Sequence, residues 1–192
     1  MNRRSLRTLT IASAFEAGLG VLGMAAALIA GVSVSGLLRL EAGTAAVGLG
    51  AAAPMVLLFV LAIDSSWRPL ARIRRILTES LIPYLVGIPW WGILVLSVFA
   101  GLGEELLFRG FLQSALSGFL PPAAALAVAS VVFGLAHWIT RAYAVFATLL
   151  GAYLGLLFLV TGNLLAPVLC HAAYDFVALL VYLRRHNLYL RS

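Results

Sequence analysis

The chain has 192 residues, of which 63% are hydrophobic and 10% charged, with a mean hydropathy of +1.07. A soluble domain is about 45–50% apolar and about 25% charged, so this composition excludes an ordinary soluble fold and indicates a polytopic membrane protein. The net charge of +6 comes from arginine alone, and the arginines stand at the ends of apolar runs, which is the positive-inside pattern and argues against a nucleic-acid partner.

In chain order, Arg3, Arg4 and Arg7 precede an apolar run at about 9–34. That run exceeds the roughly 7–15 residues of a signal-peptide core, so an uncleaved first span is expected. Glu16 lies in its early turns and reads as a structural residue, snorkelling to the interface or facing another helix. Arg39 and Glu41 mark a loop before a second span at about 45–63. The hydrophilic stretch 64–80 carries Arg68, Arg72, Arg74 and Arg75, and its Leu70, Ile73, Ile76 and Leu77 recur at helical spacing. It predicts an amphipathic helix at the cytoplasmic membrane surface, acting as a solvated topogenic loop.

From residue 81 the chain is apolar to 103, and Pro89 is expected to break this run with Trp90 and Trp91 at the interface. The third span then continues through Glu104 to about Phe119 and turns at Pro121-Pro122. A competing third span at 81–102 leaves Glu104 at the outer interface. Further spans are expected at about 123–139, at 143–160 after a break at Arg141, and at 165–183 after the turn signal Thr161-Gly162-Asn163. Cys170 lies inside the last span and, as the single cysteine, forms no intrachain disulfide. Arg184, Arg185, His186 and Arg191 close the chain, with His186 read as a solvated surface residue. Six spans with both termini cytoplasmic place the basic clusters at 3–7, 68–75, 141 and 184–191 on one side. The expected fold is all-α, a polytopic transmembrane bundle with a two-span N-terminal region (1–80) and a core (81–192) that holds nearly all the intramembrane polar groups.

Three polar pairs interrupt that core, each spaced i, i+4: Glu105 with Arg109, Phe133 with His137, and His171 with Asp175. On helices such pairs share a face. Glu104 and His137 each lie 15 residues from the ends of the Pro121-Pro122 hairpin, which at 1.5 Å per residue puts both about 22 Å from the turn. His171 and Asp175 fall about 12 and 18 Å from the turn at Asn163, so all four can line one cavity. Adjacent carboxylates in a poorly solvated site do not both ionise cheaply, and Arg109 pairs with Glu105, which leaves Glu104 as the freer base. Glu104 and His137 can deprotonate a water for attack on a carbonyl, with His171 and Asp175 stabilising the oxyanion or positioning the substrate. Phe133 reads as packing beside His137, Trp138 and Arg141 as interfacial, and Tyr174 as within reach of the cavity. No Gly-x-Ser-x-Gly, His-Glu-x-x-His or phosphate-binding glycine loop is present.

At these residues the sequence resembles the CAAX protease and bacteriocin-processing (CPBP, or Abi) family, whose signature is Glu-Glu-x-x-x-Arg, Phe-x-x-x-His and His-x-x-x-Asn or Asp. Here these are Glu104-Glu105 with Arg109, Phe133 with His137, and His171 with Asp175; the Phe108-Arg109-Gly110 run is similar too. The resemblance covers roughly 81–183. It implies a metal-free glutamate-type intramembrane endopeptidase in which Glu104 and His137 activate water, and His171 with Asp175 forms the oxyanion hole. It also implies a membrane-associated protein or peptide as substrate. The prenyl-protein proteases carry asparagine at the last position, and ionised Asp175 only accepts hydrogen bonds, so Asp175 is either protonated or orients His171. The compact chain points to a bacterial plasma membrane. Two other readings compete: a zinc protease with Glu104, His137 and His171 as ligands, and a non-enzymatic scaffold or proton-coupled transporter using the same groups.

Overall fold

The computed structural model describes Met1 and residues 3–189, without the side chains of Ser35 and 186–189, so the readings of His186 and Arg191 fall outside the described residues. Among the described residues there is no strand, and five helices are long and apolar enough to cross a membrane. In hydrocarbon only a helix or a closed barrel satisfies every backbone group, and runs of Leu, Val, Ala and Phe supply the lipid-facing surface. The five are α1 (Arg3–Ile29), α2 (Ala42–Ala62), α4 (Trp90–Leu116), α6 (Arg141–Thr161) and α7 (Leu165–Arg185 within the longer helix Leu165–Tyr189). The shorter apolar helix α5 (Pro122–Ala136) is the sixth candidate, and α3 (Arg68–Ser80) is the amphipathic helix.

Three boundaries differ from the sequence expectation. Helix α1 stops at Ile29, not near 34, because Gly31 adopts a left-handed φ of +71° and reverses the chain. The run from residue 81 is broken as Pro89 suggested: Gly87 has φ +85° and α4 starts at Trp90, so Glu104 lies deep within a helix and the competing third span at 81–102 does not form. Helix α5 ends at Ala136 instead of 139. The break there precedes Arg141, because Thr140 takes extended backbone and its hydroxyl caps α6 by accepting from the Tyr143 amide.

Glycine sets how closely α1 approaches α4. A Cβ on Gly103 would lie 2.1 Å from the Glu16 carbonyl oxygen, and one on Gly23 would lie 2.7 Å from the Leu107 backbone. Small residues of this kind let helix backbones touch where no hydrophobic force drives association. Elsewhere Asn163, fully buried, pins the α2 approach to the start of α7: its amide donates to the Arg39 carbonyl at 2.8 Å and its oxygen accepts from Arg39 N and Leu165 N. In that loop the Arg39 side chain, donating to Glu41 at 2.8 Å, holds the Glu41 carboxyl below its ordinary range.

The basic clusters gather at one end of the bundle. Arg4 lies 5.7 Å over the Tyr84 ring, Arg185 pairs with Asp64, and Arg68, Arg72 and Arg141 border a common cleft.

Candidate active site

The helix that carries Glu104 changes character immediately after it. From Leu106 to Gln113 the backbone widens into a π-helical stretch, a feature that single insertions produce inside α-helices and that concentrates at functional sites. Glu105, at the end of the α-helical part, and Arg109 and Gln113, within the widened stretch, are all 1% exposed or less and face α6 and α7.

Each of those buried groups has a partner across the bundle. Arg109 Nη1 donates to Glu105 Oε1 at 2.8 Å, and its Nη2 donates to the Gly151 carbonyl on α6 at 2.7 Å. The guanidinium also stands 4.7 Å from the Phe133 ring centroid. Gln113 repeats the pattern one turn on, donating to the Gly155 carbonyl at 3.2 Å. Both acceptors are glycines: a Cβ on Gly151 would sit 3.3 Å from Arg109 Nη2, and one on Gly155 would sit 2.7 Å from Gln113 Oε1.

The sequence reading paired Glu105 with Arg109 alone, and the structure adds a third member. His171 Nδ1 donates to the same Glu105 Oε1 at 2.9 Å. A carboxylate only accepts, so that bond places a proton on Nδ1 and directs Nε2 away from Glu105. Asp175 Oδ2 lies 3.6 Å from His171 Nε2, beyond a direct hydrogen bond, so the contact that fixes the ring comes from Glu105 and not from Asp175.

His137 is not on a helix face, as the i, i+4 pairing with Phe133 suggested; it caps the end of α5. Its Nδ1 donates to the Phe133 carbonyl at 2.8 Å and its ring stacks on Phe133 at 4.4 Å. A carbonyl only accepts, so Nε2 is the nitrogen left to face Glu104, at 3.5 Å from Oε2. Glu104 Oε2 accepts no hydrogen bond among the described residues. Phe133, 4% exposed, thus touches Arg109, His137, His171 at 6.2 Å and Phe108 at 5.0 Å, and holds the two imidazoles in register.

Glu16 joins this neighbourhood, although its position in α1 gave it only a structural reading. Its charge interacts with those of Glu104 and Asp175, and its Oε2 is buried without a hydrogen-bond partner among the described residues. A carboxylate within a span was the available signal; the glycine contact with Gly103 that brings it here is a tertiary fact. Gln113 was also missed, and its signal was the continuation of the Glu105–Arg109 spacing by another four residues. Tyr174, by contrast, packs edge-on against Phe59 at 6.3 Å.

Among the described residues no three His, Cys, Asp or Glu side chains converge at metal-ligand spacing, and the two nitrogens of His171 face Glu105 and Asp175. Residues 86–177 match the family model described as type II CAAX prenyl endopeptidase Rce1-like, which is consistent with the CPBP family. The matched segment holds every residue of the three motifs. It points to a membrane protease of the CAAX type. No curated protein and no solved structure matches the chain.

Proposed function

We propose that the protein is an intramembrane endopeptidase that hydrolyses a peptide bond of a membrane-associated protein or peptide, with Glu104 and His137 activating the water. The observation that carries this reading is the facing pair Glu104 Oε2 and His137 Nε2, 3.5 Å apart and without a hydrogen bond between them or to any other described group on Oε2. The pair leaves Oε2 free to take a proton from a water that enters with the substrate, and is close enough for that proton to pass to the imidazole. In this mechanism Glu104 takes a proton from the water as its oxygen bonds to the carbonyl carbon. Glu104 passes that proton to His137 Nε2, which carries none of its own while Nδ1 donates to the Phe133 carbonyl, and as the carbon–nitrogen bond breaks Nε2 delivers it to the leaving amine, so that both residues return to their starting state. His171 carries protons on both ring nitrogens in this mechanism, donating from Nδ1 to Glu105 and from Nε2 to the oxyanion, and Glu105 with Arg109 keeps its ring oriented. The cell membrane we assign is a bacterial plasma membrane, with the basic end of the bundle cytoplasmic.

Purified protein reconstituted in vesicles with a quenched-fluorescent membrane peptide tests the metal-free form of this proposal. Cleavage is expected to persist after exhaustive chelation, and stoichiometric zinc lost together with activity would overturn it in favour of ligation by Glu104, His137 and His171.

The role of Asp175 has its own test. Because Glu105 makes the bond that orients His171, Asp175→Asn is expected to keep cleavage within about threefold of the parent, the amide being able to donate where the carboxylate accepts. A loss of about 100-fold or more, the cost of losing an orienting carboxylate behind a catalytic histidine, would instead assign the orienting role to Asp175.

A further inference from the structure

We propose that the cleft between the start of α3 and the loop joining α5 to α6 binds the phosphate of an anionic phospholipid headgroup. The cleft has a volume of about 690 Å³ and is bordered by Arg68 and Arg72 on one side and by Trp138, Ile139, Thr140 and Arg141 on the other. No Asp or Glu lines it. The three arginines are exposed, and none has a hydrogen-bond or ion-pair partner among the described residues.

Two further features concentrate positive potential there. Helix α3 begins at Arg68 and helix α6 at Arg141, so two helix N-termini, of 13 and 21 residues, open on the same cleft as the three guanidinium groups. The positive end of the helix dipole favours an anion at each, although Pro69 has no amide to offer and the Tyr143 amide is taken by the Thr140 hydroxyl. Guanidinium groups add planar, bidentate donors suited to phosphate oxygens.

The neighbouring cavity shows that this is not the ordinary state of the basic end. It is lined by Arg74, Arg75 and Arg185 together with Asp64 and Glu79; Arg185 is paired with Asp64, and Arg74 donates to the Ile63 carbonyl at 2.7 Å. Its charges are largely compensated from within, whereas those of the first cleft are not.

The apolar rim argues for a lipid over a soluble phosphate. Trp138, 57% exposed, and Ile139, 42% exposed, line that rim. Amphipathic rings of this kind sit at the headgroup level of a bilayer. The cleft therefore opens where lipid phosphates lie and acyl chains can run along the rim. The inference is independent of the proteolytic reading, because its test measures lipid binding alone.

Full-length protein in neutral detergent is titrated with phosphatidylglycerol and, separately, with phosphatidylcholine, and bound lipid is counted by native mass spectrometry. Selective retention of phosphatidylglycerol is expected, and the combined variant Arg68→Gln, Arg72→Gln, Arg141→Gln should weaken it at least about tenfold. Arg75→Gln removes the same charge from the same helix outside the cleft, and should leave affinity within about twofold. Glycerol 3-phosphate should not displace the lipid. Equal loss in Arg75→Gln, unchanged binding by the folded combined variant, no preference over phosphatidylcholine, or displacement by glycerol 3-phosphate would each overturn the assignment. Should the combined variant not fold, Arg141→Gln alone carries the test: a loss of about threefold or more supports the site, and wild-type affinity rejects it.

Discussion

Glu104→Gln is expected to lower peptide hydrolysis by about 10²–10⁴-fold, the range associated with losing a general base, while leaving the melting temperature of the purified protein close to that of the parent. The separation of the two effects follows from how Glu104 is held. Its Oε2 accepts no hydrogen bond among the described residues, and its nearest charged neighbour is the His137 imidazole at 3.5 Å. Glutamine keeps the volume and leaves no buried charge without a partner, so the helix has no reason to shift. The amide cannot take a proton from water, so the proposed chemistry stops. A folded Glu104→Gln protein with unchanged turnover would remove Glu104 from the mechanism. If the parent itself cleaves no membrane peptide, the scaffold or transporter reading gains.

Arg109→Ala is expected to act in the opposite way, on folding first, with a destabilisation of about 3–5 kcal/mol, which is what breaking one side of a buried ion pair costs. Arg109 is 1% exposed and Glu105 is not exposed at all, so removal of the guanidinium leaves a carboxylate that water does not reach. It also removes the second hydrogen bond on the Gly151 carbonyl and the cation from the Phe133 face. Folded, monodisperse yield in detergent should therefore fall well below that of Glu104→Ala. Equal yields for the two variants would show that the Glu105 charge is compensated without Arg109, with His171 as its remaining partner.

How much of this site was legible in the sequence varies with the distance in chain over which each contact closes. Glu105 and Arg109 are one turn apart, and any helix through them brings the two side chains to one face. Glu104 and His137 required the Pro121-Pro122 turn and equal helix lengths, both countable from residue numbers, and the two side chains do face each other. The end of α5 was not countable. Nothing local stops an apolar helix at Ala136; the Thr140 cap on the following helix does, and it moves His137 off the helical face onto a loop where Nδ1 reaches the Phe133 carbonyl.

What the sequence by itself determined is the class of the protein: apolar runs of membrane-spanning length must become helices, because only a helix satisfies its own backbone in hydrocarbon, and arginines at their ends mark the interface. It also singled out the residues to which the proposed chemistry is assigned, since intramembrane carboxylates and histidines are costly and few. The tertiary structure alone decided the partners. Glu105 meets His171 across 66 positions and Arg109 meets the Gly151 carbonyl across 42. Glu16 comes to the site through the approach of α1 at Gly103. These contacts depend on where glycines let helices touch, and the period of a helix does not encode the spacing between two helices.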